Sequence, residues 1–218
     1  MTSSNMSSRR SAPTAERELL MLERGLWPVV GVDEAGRGAL AGPVVAGAVV
    51  ADWSSDISWC HDVRDSKELS PAAREQLYGL IMAHAQSAAV GVVGSEVIDK
   101  IGIVGATRKA MYAAIRGLSV RPRAALIDWM VVPQLHIPQE GIVRGDSLCF
   151  SIACASIIAK VTRDRLMVEF DSQYPEYGFR NNKGYATAHH MERLFELGAC
   201  PIHRTTFQPV CLVLGGLL

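Results

Sequence analysis

The stretch VVGVDEAGRGALAGPVVAGAVV, residues 29–50, decides how the rest of the chain is interpreted. Its first part, Pro28–Val32, is a β-rich apolar run that ends at two adjacent acids, Asp33 and Glu34. A glycine-rich link follows, and Pro43–Val50 is a second apolar run with the composition of a strand. Because the link is short, the two runs are predicted to pair as a β-hairpin.

Outward from this hairpin, strands and helices mix before helices dominate the second half of the chain. Ser70-Pro71 is a strong helix start, because it combines an N-cap with proline at the first helical position. The further predicted strands are Ser87–Gly94 and Ala124–Ile127, and the predicted helices are Ala15–Arg24, Ser70–His84, Ser95–Lys100, Gly105–Leu118, Phe150–Tyr174 and Thr187–Gly198. From Ala199 onward the chain is predicted to be loop and tail. This order of elements predicts an α/β fold with a mixed sheet.

Composition narrows the class of protein. The chain has 218 residues, enough for one domain, and its 22 basic and 22 acidic residues balance. Binding to phosphate would therefore depend on a local patch and not on overall charge. Residues 1–13 lack the apolar core of a secretory signal and are predicted to be a flexible tail, and no apolar run is long enough to span a bilayer. We therefore expect a soluble, cytoplasmic protein.

The five cysteines give no sign of a disulfide framework or a zinc ribbon. Their number is odd, and no two of them have C-x-x-C spacing. Reduced thiols in an intracellular protein are the expectation.

Four acids lie where predicted elements begin or end. Asp33 and Glu34 follow the first strand, Asp128 ends the strand at Ala124–Ile127, and Asp146 precedes the longest helix. Carboxylates beside apolar runs are costly to leave unpaired, and a divalent cation would offset that cost. Mg²⁺ prefers oxygen ligands, and two such ions can clamp the attacking and leaving oxygens of a phosphodiester. Any one of these acids, taken alone, is more readily explained as a helix cap or an arginine partner.

The segment Gly36–Ala41 has the spacing of a dinucleotide-binding fingerprint. That interpretation is rejected because a strand follows the glycines, where the fingerprint needs a helix N-terminus for the pyrophosphate. Asp33 and Glu34 would also place negative charge beside the pyrophosphate. The alternatives are a simple hairpin turn or a loop that brings its backbone close to a ligand, with Arg37 available for phosphate.

Two other polar segments are less specific. YGFRNNKGY, residues 177–185, combines aromatic rings with Arg180 and Lys183, which suits a nucleic-acid strand, although the segment alone favours an ordinary surface loop. His189 and His190 are expected to face solvent from their helix.

Taken together, these segments resemble bacterial ribonuclease HII, the type 2 ribonuclease H family, over roughly residues 16–210. The long blocks at residues 29–50 and 146–167 carry most of the specificity. The other matching blocks, in the same order as in the family, are DSKELS at 65–70, ALID at 125–128, YGFRNNKGYAT at 177–187 and PIHRTTF at 201–207.

The resemblance implies a ribonuclease H-like fold, with a central mixed β-sheet flanked by helices and a C-terminal helical portion within residues 14–210, followed by a tail at 211–218. It implies hydrolysis of RNA in RNA–DNA hybrids and incision 5′ of single ribonucleotides in duplex DNA, leaving 5′-phosphate and 3′-hydroxyl ends. Mg²⁺ or Mn²⁺ is the expected cofactor, with no organic cofactor, and a monomer is expected.

The resemblance also assigns residues. The metal-binding catalytic carboxylates are expected to be Asp33, Glu34, Asp128 and Asp146. The expected substrate contacts, which include the sensor of the ribose 2′-hydroxyl at Gly36 to Gly38 and the tyrosine that packs on the neighbouring deoxyribose, are Gly36, Arg37, Gly38, Lys67, Lys183 and Tyr185. Asp164, although also acidic, is expected to pair structurally with Lys160 or Arg163.

Three departures from the family pattern bear on the substrate. The family commonly has glycine where this chain has Trp129, a large side chain that could crowd the metal site unless it points away. Ala186 replaces a usual glycine, and HRTTF replaces HRRSF at residues 203–207, which removes one positive charge.

Three other interpretations are weighed. A non-catalytic nucleic-acid-binding domain is opposed by the four acids, since carboxylates repel phosphate when no metal is bound. A nicotinamide-dependent enzyme would be tested by cofactor titration. A type 3 ribonuclease H is disfavoured because the chain lacks room for an added N-terminal substrate-binding domain.

Overall fold

The computed structural model describes residues 12–54 and 58–215. Within these residues, five strands form one mixed sheet in the order β3-β2-β1-β4-β5. The strands are β1 (Val29–Ala35), β2 (Val44–Val50), β3 (Ser87–Val93), β4 (Ala124–Asp128) and β5 (Gln139–Ile142). β1 and β2 pair antiparallel, which confirms the predicted hairpin, and β1 also pairs parallel with β4. The sheet confirms the predicted α/β fold of mixed type.

Helices cover both faces of this sheet. The helices are α1 (Glu16–Glu23), α2 (Pro71–His84), α3 (Ser95–Arg116), α4 (Gly145–Leu148), α5 (Phe150–Gln173), α6 (Phe179–Asn182), α7 (Ala188–Leu197) and α8 (Val210–Gly215). The predicted cap at Ser70 is confirmed, because its side chain accepts from the Ala73 N–H, and the side chain of Thr187 likewise caps α7 by accepting from the His190 N–H. The two helices predicted around residues 95–118 are joined in α3, which is interrupted at Gly102 by non-helical backbone angles.

Glycines in the strands allow the helices to approach the sheet closely. A Cβ on Gly31 would lie 2.2 Å from the backbone of Ser151, and one on Gly47 would lie 2.3 Å from the Ala155 carbonyl, both in α5. On the opposite face, a Cβ on Gly91 would lie 2.1 Å from the Ala110 carbonyl of α3. The core therefore has two layers, with α5 packed on one face of the sheet and α3 on the other.

Two parts of the prediction from sequence are wrong. The chain after Ala199 is not all loop and tail, because Val210–Gly215 forms α8 and Val210 is buried against Leu40 and Leu194. The edge strand β5 was not predicted, since its sequence QEGI lacks the apolar run of a buried strand. Most of the predicted N-terminal tail lies outside the described residues, and the domain limits at 14 and 210 stay a prediction.

No helix in the described ranges is long and apolar enough to cross a membrane.

Candidate active site

The sheet brings three of the predicted acids together. β1 and β4 run parallel, with Val32 paired to Ile127, so that Asp33, Glu34 and Asp128 lie at the carboxyl ends of neighbouring strands. One carboxylate oxygen from each of the three lies within 4.8 Å of the others. We call these three residues the carboxylate cluster.

The negative charges of this cluster oppose one another. Asp33 is only 4% exposed, and burial, followed by the nearby charges of Glu34 and Asp128, raises its pKa well above the ordinary value. Burial also raises the pKa of Glu34 to about 7. The pKa of Asp128 is raised by burial as well, although the Gly145 N–H, 2.7 Å from its Oδ1, opposes the shift. Three close acids whose pKa values all rise form a site that favours binding of a cation.

Asp146 lies next to the cluster without being part of it. It is buried at the start of α4. Among the described residues, the acids that lie close enough together to share one ion are the three of the cluster, and Asp146 is not one of them. Its Oδ2 lies 3.1 Å from Nζ of Lys67, whose side chain is 77% exposed. Burial alone would lower the pKa of Lys67, but the hydrogen bond and charge of Asp146 raise it overall. The predicted substrate residue Lys67 therefore neutralises the fourth predicted ligand in this structure.

Two buried arginines donate hydrogen bonds to the backbone of the predicted ribose-sensing loop and of the segments next to it. Gly36 has a φ of +88°, and a Cβ there would overlap the Arg163 side chain, so this position requires glycine. Arg204 donates to the carbonyls of Gly36, Arg37 and Gly42 over 2.7–3.1 Å, and Arg163 donates to those of Ala41, Pro43 and Lys183 over 2.9–3.1 Å. Both side chains are fully buried. We call Arg163 and Arg204 the arginine pair.

The arginine pair supports the candidate site and was not predicted from the sequence. The TRD and HRTTF segments contain its two members, but their burial depends on the packing of distant segments. Arg163 follows the apolar half of α5, which is a weak local signal for its burial, whereas Arg204 lies in a loop segment with no comparable signal.

The segment that contains Lys183 and Tyr185 is bound directly to this loop. The carbonyl of Gly184 accepts from the N–H groups of Leu40 at 2.8 Å and Ala41 at 3.3 Å. Tyr185 is exposed, and its ring centroid lies 5.3 Å from the Arg163 guanidinium carbon. The predicted 2′-hydroxyl sensor and the predicted deoxyribose contact therefore lie side by side.

A cleft of about 870 Å³ joins most of these residues. Of the predicted site residues, it is lined by Asp33, Glu34, Gly36, Arg37, Gly38, Lys67, Asp128 and Tyr185. Further lining residues, which were not predicted to belong to the site, are Ser66, Ile103, Ser156, Lys160 and Phe207. Lys183 lines a neighbouring groove of about 780 Å³, and Lys160 borders both. Asp164 lies in that groove with its Oδ1 2.7 Å from Lys160 Nζ, so the predicted pairing with Lys160 is confirmed.

The expectation that both histidines of α7 face solvent is wrong for His190. Its ring is fully buried, with Nδ1 2.8 Å from the Tyr185 carbonyl and Nε2 3.0 Å from Nε2 of His203. Burial lowers the pKa of both rings, that of His203 to about 4. The helical pattern misled because α7 packs its His190 face against the segment that contains His203.

The structure shows where the three departures from the family pattern lie and what the side chains of two of them contact. Trp129 has a φ of +50°, which glycine adopts without strain, and its indole lies beside Glu34 without filling the cleft. In HRTTF, the N–H and hydroxyl groups of Thr205 and Thr206 all donate to the Asp99 carboxylate of α3 over 2.7–3.1 Å. These threonines thus anchor the C-terminal segment to α3. Ala186 is exposed.

Comparisons with known proteins agree on one family. The family profile described as Ribonuclease HII matches residues 30–210. A ribonuclease HII of Dehalococcoides mccartyi is 50% identical over 205 residues, which cover 94% of this chain and 97% of that protein.

Solved structures show the same fold. The ribonuclease H2 of Pyrococcus horikoshii superposes with a TM-score of 0.71 at 28% identity, covering 85% of this chain and 96% of that one. A Bst ribonuclease HIII in complex with Mn²⁺ superposes with a TM-score of 0.67 at 20% identity, covering 86% and 69% of the two chains, which shows the fold alone. The chain therefore belongs to the ribonuclease HII family and is a metal-dependent endonuclease that hydrolyses RNA-containing nucleic acids.

Proposed function

We propose that the protein hydrolyses the RNA strand of RNA–DNA hybrids and incises 5′ of single ribonucleotides in duplex DNA, using two Mg²⁺ or Mn²⁺ ions. The observation that carries the proposal is the carboxylate cluster in a cleft shared with the loop Gly36 to Gly38 and with Tyr185. Cleavage is expected to leave 5′-phosphate and 3′-hydroxyl ends. A monomer without an organic cofactor remains the prediction.

The cluster fits hard divalent cations. Its donors are all carboxylate oxygens, which Mg²⁺ and Mn²⁺ prefer over nitrogen or sulfur. The raised pKa values of Asp33, Glu34 and Asp128 mean that a bound cation would relieve existing repulsion. Asp33, Glu34 and Asp128 would hold such ions, which would supply an activated water for in-line attack and charge stabilisation for the departing 3′-oxygen.

Asp146 would complete the site once Lys67 releases it. The present 3.1 Å contact with Lys67 Nζ occupies one Asp146 oxygen, but the exposed lysine side chain has room to move. A substrate phosphate in the cleft would offer Lys67 another anion and leave Asp146 to the metals. Lys67 would thus couple substrate binding to completion of the ligand set.

Recognition of ribose is assigned to the loop and Tyr185. The 2′-hydroxyl distinguishes RNA from DNA at a given site, and a preorganised polar contact to it rejects the deoxy analogue strongly. The arginine pair fixes the loop by its carbonyl groups, so the loop is preorganised before the substrate arrives. Tyr185, exposed at the same edge, is proposed to pack on the deoxyribose that follows the ribonucleotide.

The decisive experiment uses duplex DNA with one internal ribonucleotide, end-labelled on either side and mapped to single-nucleotide resolution with Mg²⁺, Mn²⁺ or EDTA. We expect one cut, 5′ of the ribonucleotide, with either metal and none in EDTA. Cleavage of a long hybrid without cleavage of this substrate would remove the junction activity from the proposal. A cut that persists in EDTA would remove the metals.

Tyr185 provides a sharper arm of the same assay. Tyr185→Ala should reduce incision at the single ribonucleotide more than cleavage of a long hybrid, because only the first substrate depends on one junction. Tyr185→Phe, which keeps the ring, is the matched control and should retain the junction activity. Equal losses on both substrates would contradict the assignment of Tyr185.

A further inference from the structure

Trp129 occupies a backbone position that is unfavourable for a large side chain. It follows Asp128 directly at the end of β4, and its φ of +50° places it in the left-handed region. This conformation costs a non-glycine residue on the order of 1 kcal/mol, and it persists only where surrounding contacts hold it. Here its N–H donates to the Ile142 carbonyl at 2.9 Å, and its ring packs against the core layer beneath α3. The side chain must therefore make contacts that offset the strain.

The strongest of these contacts is with a member of the carboxylate cluster. Nε1 of Trp129 lies 3.0 Å from Oε1 of Glu34 and 3.2 Å from Oε2. An indole nitrogen can only donate, so the contact is a charge-assisted hydrogen bond to the carboxylate. It fixes the orientation of Glu34 from the side of the sheet, and one Glu34 oxygen still lies within 4.8 Å of the other two acids.

The indole face makes a second contact, with the ribose-sensing loop. The guanidinium carbon of Arg37 lies 3.9 Å from the ring centroid of Trp129. A guanidinium over an indole face is a favourable cation–π arrangement, and tryptophan is the best aromatic partner for it. Arg37 is otherwise exposed at the mouth of the cleft. The Trp129 side chain thus contacts both Glu34 of the cluster and Arg37, the arginine proposed to bind a substrate phosphate.

We propose that Trp129 is a positioning residue that holds Glu34 for metal binding through its N–H and Arg37 for phosphate through its ring face. The inference rests on the proposed function, since it assumes that the carboxylate cluster binds divalent metal. Partners that hydrogen-bond to a metal-ligating group change metal affinity by 10- to 100-fold when removed. A glycine at position 129 supplies neither contact, so this chain depends on a residue outside its ligand set.

Two substitutions separate the two contacts. Trp129→Phe removes the N–H but keeps an aromatic face for Arg37 and packing for the core. Trp129→Gly removes both contacts and suits the positive φ, so it remains informative if the phenylalanine variant folds poorly. Trp27→Phe is the matched control, because Trp27 packs in a different core cluster, around Val29 and Leu126.

The primary measurement is Mn²⁺ affinity without nucleic acid, by isothermal titration calorimetry, which does not depend on the indole that the variants remove. We expect Trp129→Phe and Trp129→Gly each to weaken Mn²⁺ binding about tenfold or more, with Trp27→Phe unchanged. We also expect hybrid binding in EDTA to be retained by Trp129→Phe and reduced in Trp129→Gly. The thermal midpoint of Trp129→Phe in EDTA should match that of the wild type, which a merely structural role would not predict.

Each other result counts against the inference. Wild-type Mn²⁺ affinity in Trp129→Phe would remove the role of the N–H, and equal hybrid binding by both variants would remove the role of the ring. A loss that parallels a fall in thermal midpoint would reduce Trp129 to a packing residue. If the wild-type protein itself binds no Mn²⁺, the metal site fails and the proposed function fails with it. That outcome is distinct from a normal wild type with unaffected variants.

Discussion

The carboxylate cluster and the arginine pair both border the glycine-rich loop after β1, and both hold charges that are largely removed from water: Arg163, Arg204 and Asp33 are buried, and Glu34 and Asp128 are half-buried. Each guanidinium nitrogen of Arg163 and Arg204 donates to a backbone carbonyl, although no carboxylate among the described residues forms a salt bridge with either. The carboxylates of Asp33, Glu34 and Asp128 face one another, with few donors and a net repulsion. One buried group of charges is satisfied within the chain, and the other is not.

This difference separates a structural role from a functional one. Burial followed by the charge of Arg163 lowers the pKa of Arg204 to about 9, so it remains protonated at neutral pH and can hold its carbonyls. The carboxylates of the cluster have no cationic partner of comparable strength within the chain, so a cation from the solvent would stabilise them most. We therefore expect changes in the cluster to affect mainly activity, and changes in the arginine pair to affect mainly stability, with a secondary effect on the loop that the pair preorganises.

The largest effect is expected for Asp33→Asn. Metal ions contribute several kcal/mol to stabilising the transition state, so loss of this ligand should lower kcat by roughly 10³-fold or more. The variant should still bind hybrid, and steady-state cleavage with binding measured in EDTA tests both points. Full activity would remove Asp33 from the metal site.

The same variant should not lose stability. The folded protein raises the pKa of Asp33, so its charge opposes folding at neutral pH and removal of the charge should keep or raise the free energy of unfolding. Urea denaturation in EDTA measures this. A substantial loss of stability would mean that Asp33 is satisfied by internal partners, which would abolish the contrast with the arginine pair.

Arg204→Met should show the opposite behaviour. It removes the guanidinium donor from the carbonyls of Gly36, Arg37 and Gly42, of which Gly36 keeps only a long contact with the Ala39 N–H, and each buried unsatisfied group costs about 1–3 kcal/mol. We expect a loss of about 3–5 kcal/mol in the free energy of unfolding, measured by urea denaturation. Arg165→Met is the control, because Arg165 is half exposed, and a surface ion pair such as the one with Glu75 is worth about 1 kcal/mol or less. Similar losses in the two variants would contradict the structural role of Arg204.

The carboxylate cluster was predictable from sequence, and the arginine pair was not. Asp33, Glu34 and Asp128 follow apolar runs directly. Because the carboxyl ends of adjacent parallel strands meet at one edge of a sheet, the local pattern is enough to predict that these acids lie close together. Arg204 lies in a loop segment more than 160 residues from its Gly36 and Gly42 partners. No local pattern indicates which distant carbonyls a side chain will meet.

The same distinction explains the smaller errors. β5 is a short edge strand whose pairing with β4 depends on position and not on its own polar sequence. His190 lies in a well-predicted helix, but its burial depends on contact with His203, thirteen residues away. For Trp129 the sequence left two alternatives open, crowding of the metal site or a side chain that avoids it, because the sequence does not show the direction of a side chain.

The buried pair His190 and His203 differs from both charged groups, because burial keeps these two hydrogen-bonded rings neutral. The unfolded pKa is near 6.5 and the folded pKa of His203 is about 4, so below pH 6.5 the unfolded state takes up a proton that the folded state resists. The stabilising contribution is therefore complete above pH 6.5 and is lost as the pH falls towards 4, by on the order of 3 kcal/mol. Tyr177 and Cys200, which face His203, have pKa values raised by burial and stay neutral in this window.

The measurement is the difference in unfolding free energy between wild type and His203→Gln across pH 4–7. The difference cancels the carboxylate cluster, whose raised pKa values act in the opposite direction over the same range. It also cancels exposed His189 beside the pair. We expect the advantage of the wild type to shrink as the pH falls. A constant difference would mean that the pair is not held neutral by the fold.

The smallest effect is expected for Asp164→Asn, which tests an acid close to the cleft that has its own cation. Asp164 pairs with Lys160 across one helical turn, with about a fifth of each side chain exposed, so the pair is satisfied as the arginine pair is. Pairs of this kind contribute about 0.3–0.5 kcal/mol, and we expect a loss of stability of that order with kcat nearly unchanged. Asp171→Asn, which loses a comparable partner in Arg180, is the control for a surface ion pair. A fall in kcat approaching that of Asp33→Asn would place Asp164 among the catalytic acids. The presence or absence of an internal partner for a charged group would then no longer predict whether that group is catalytic.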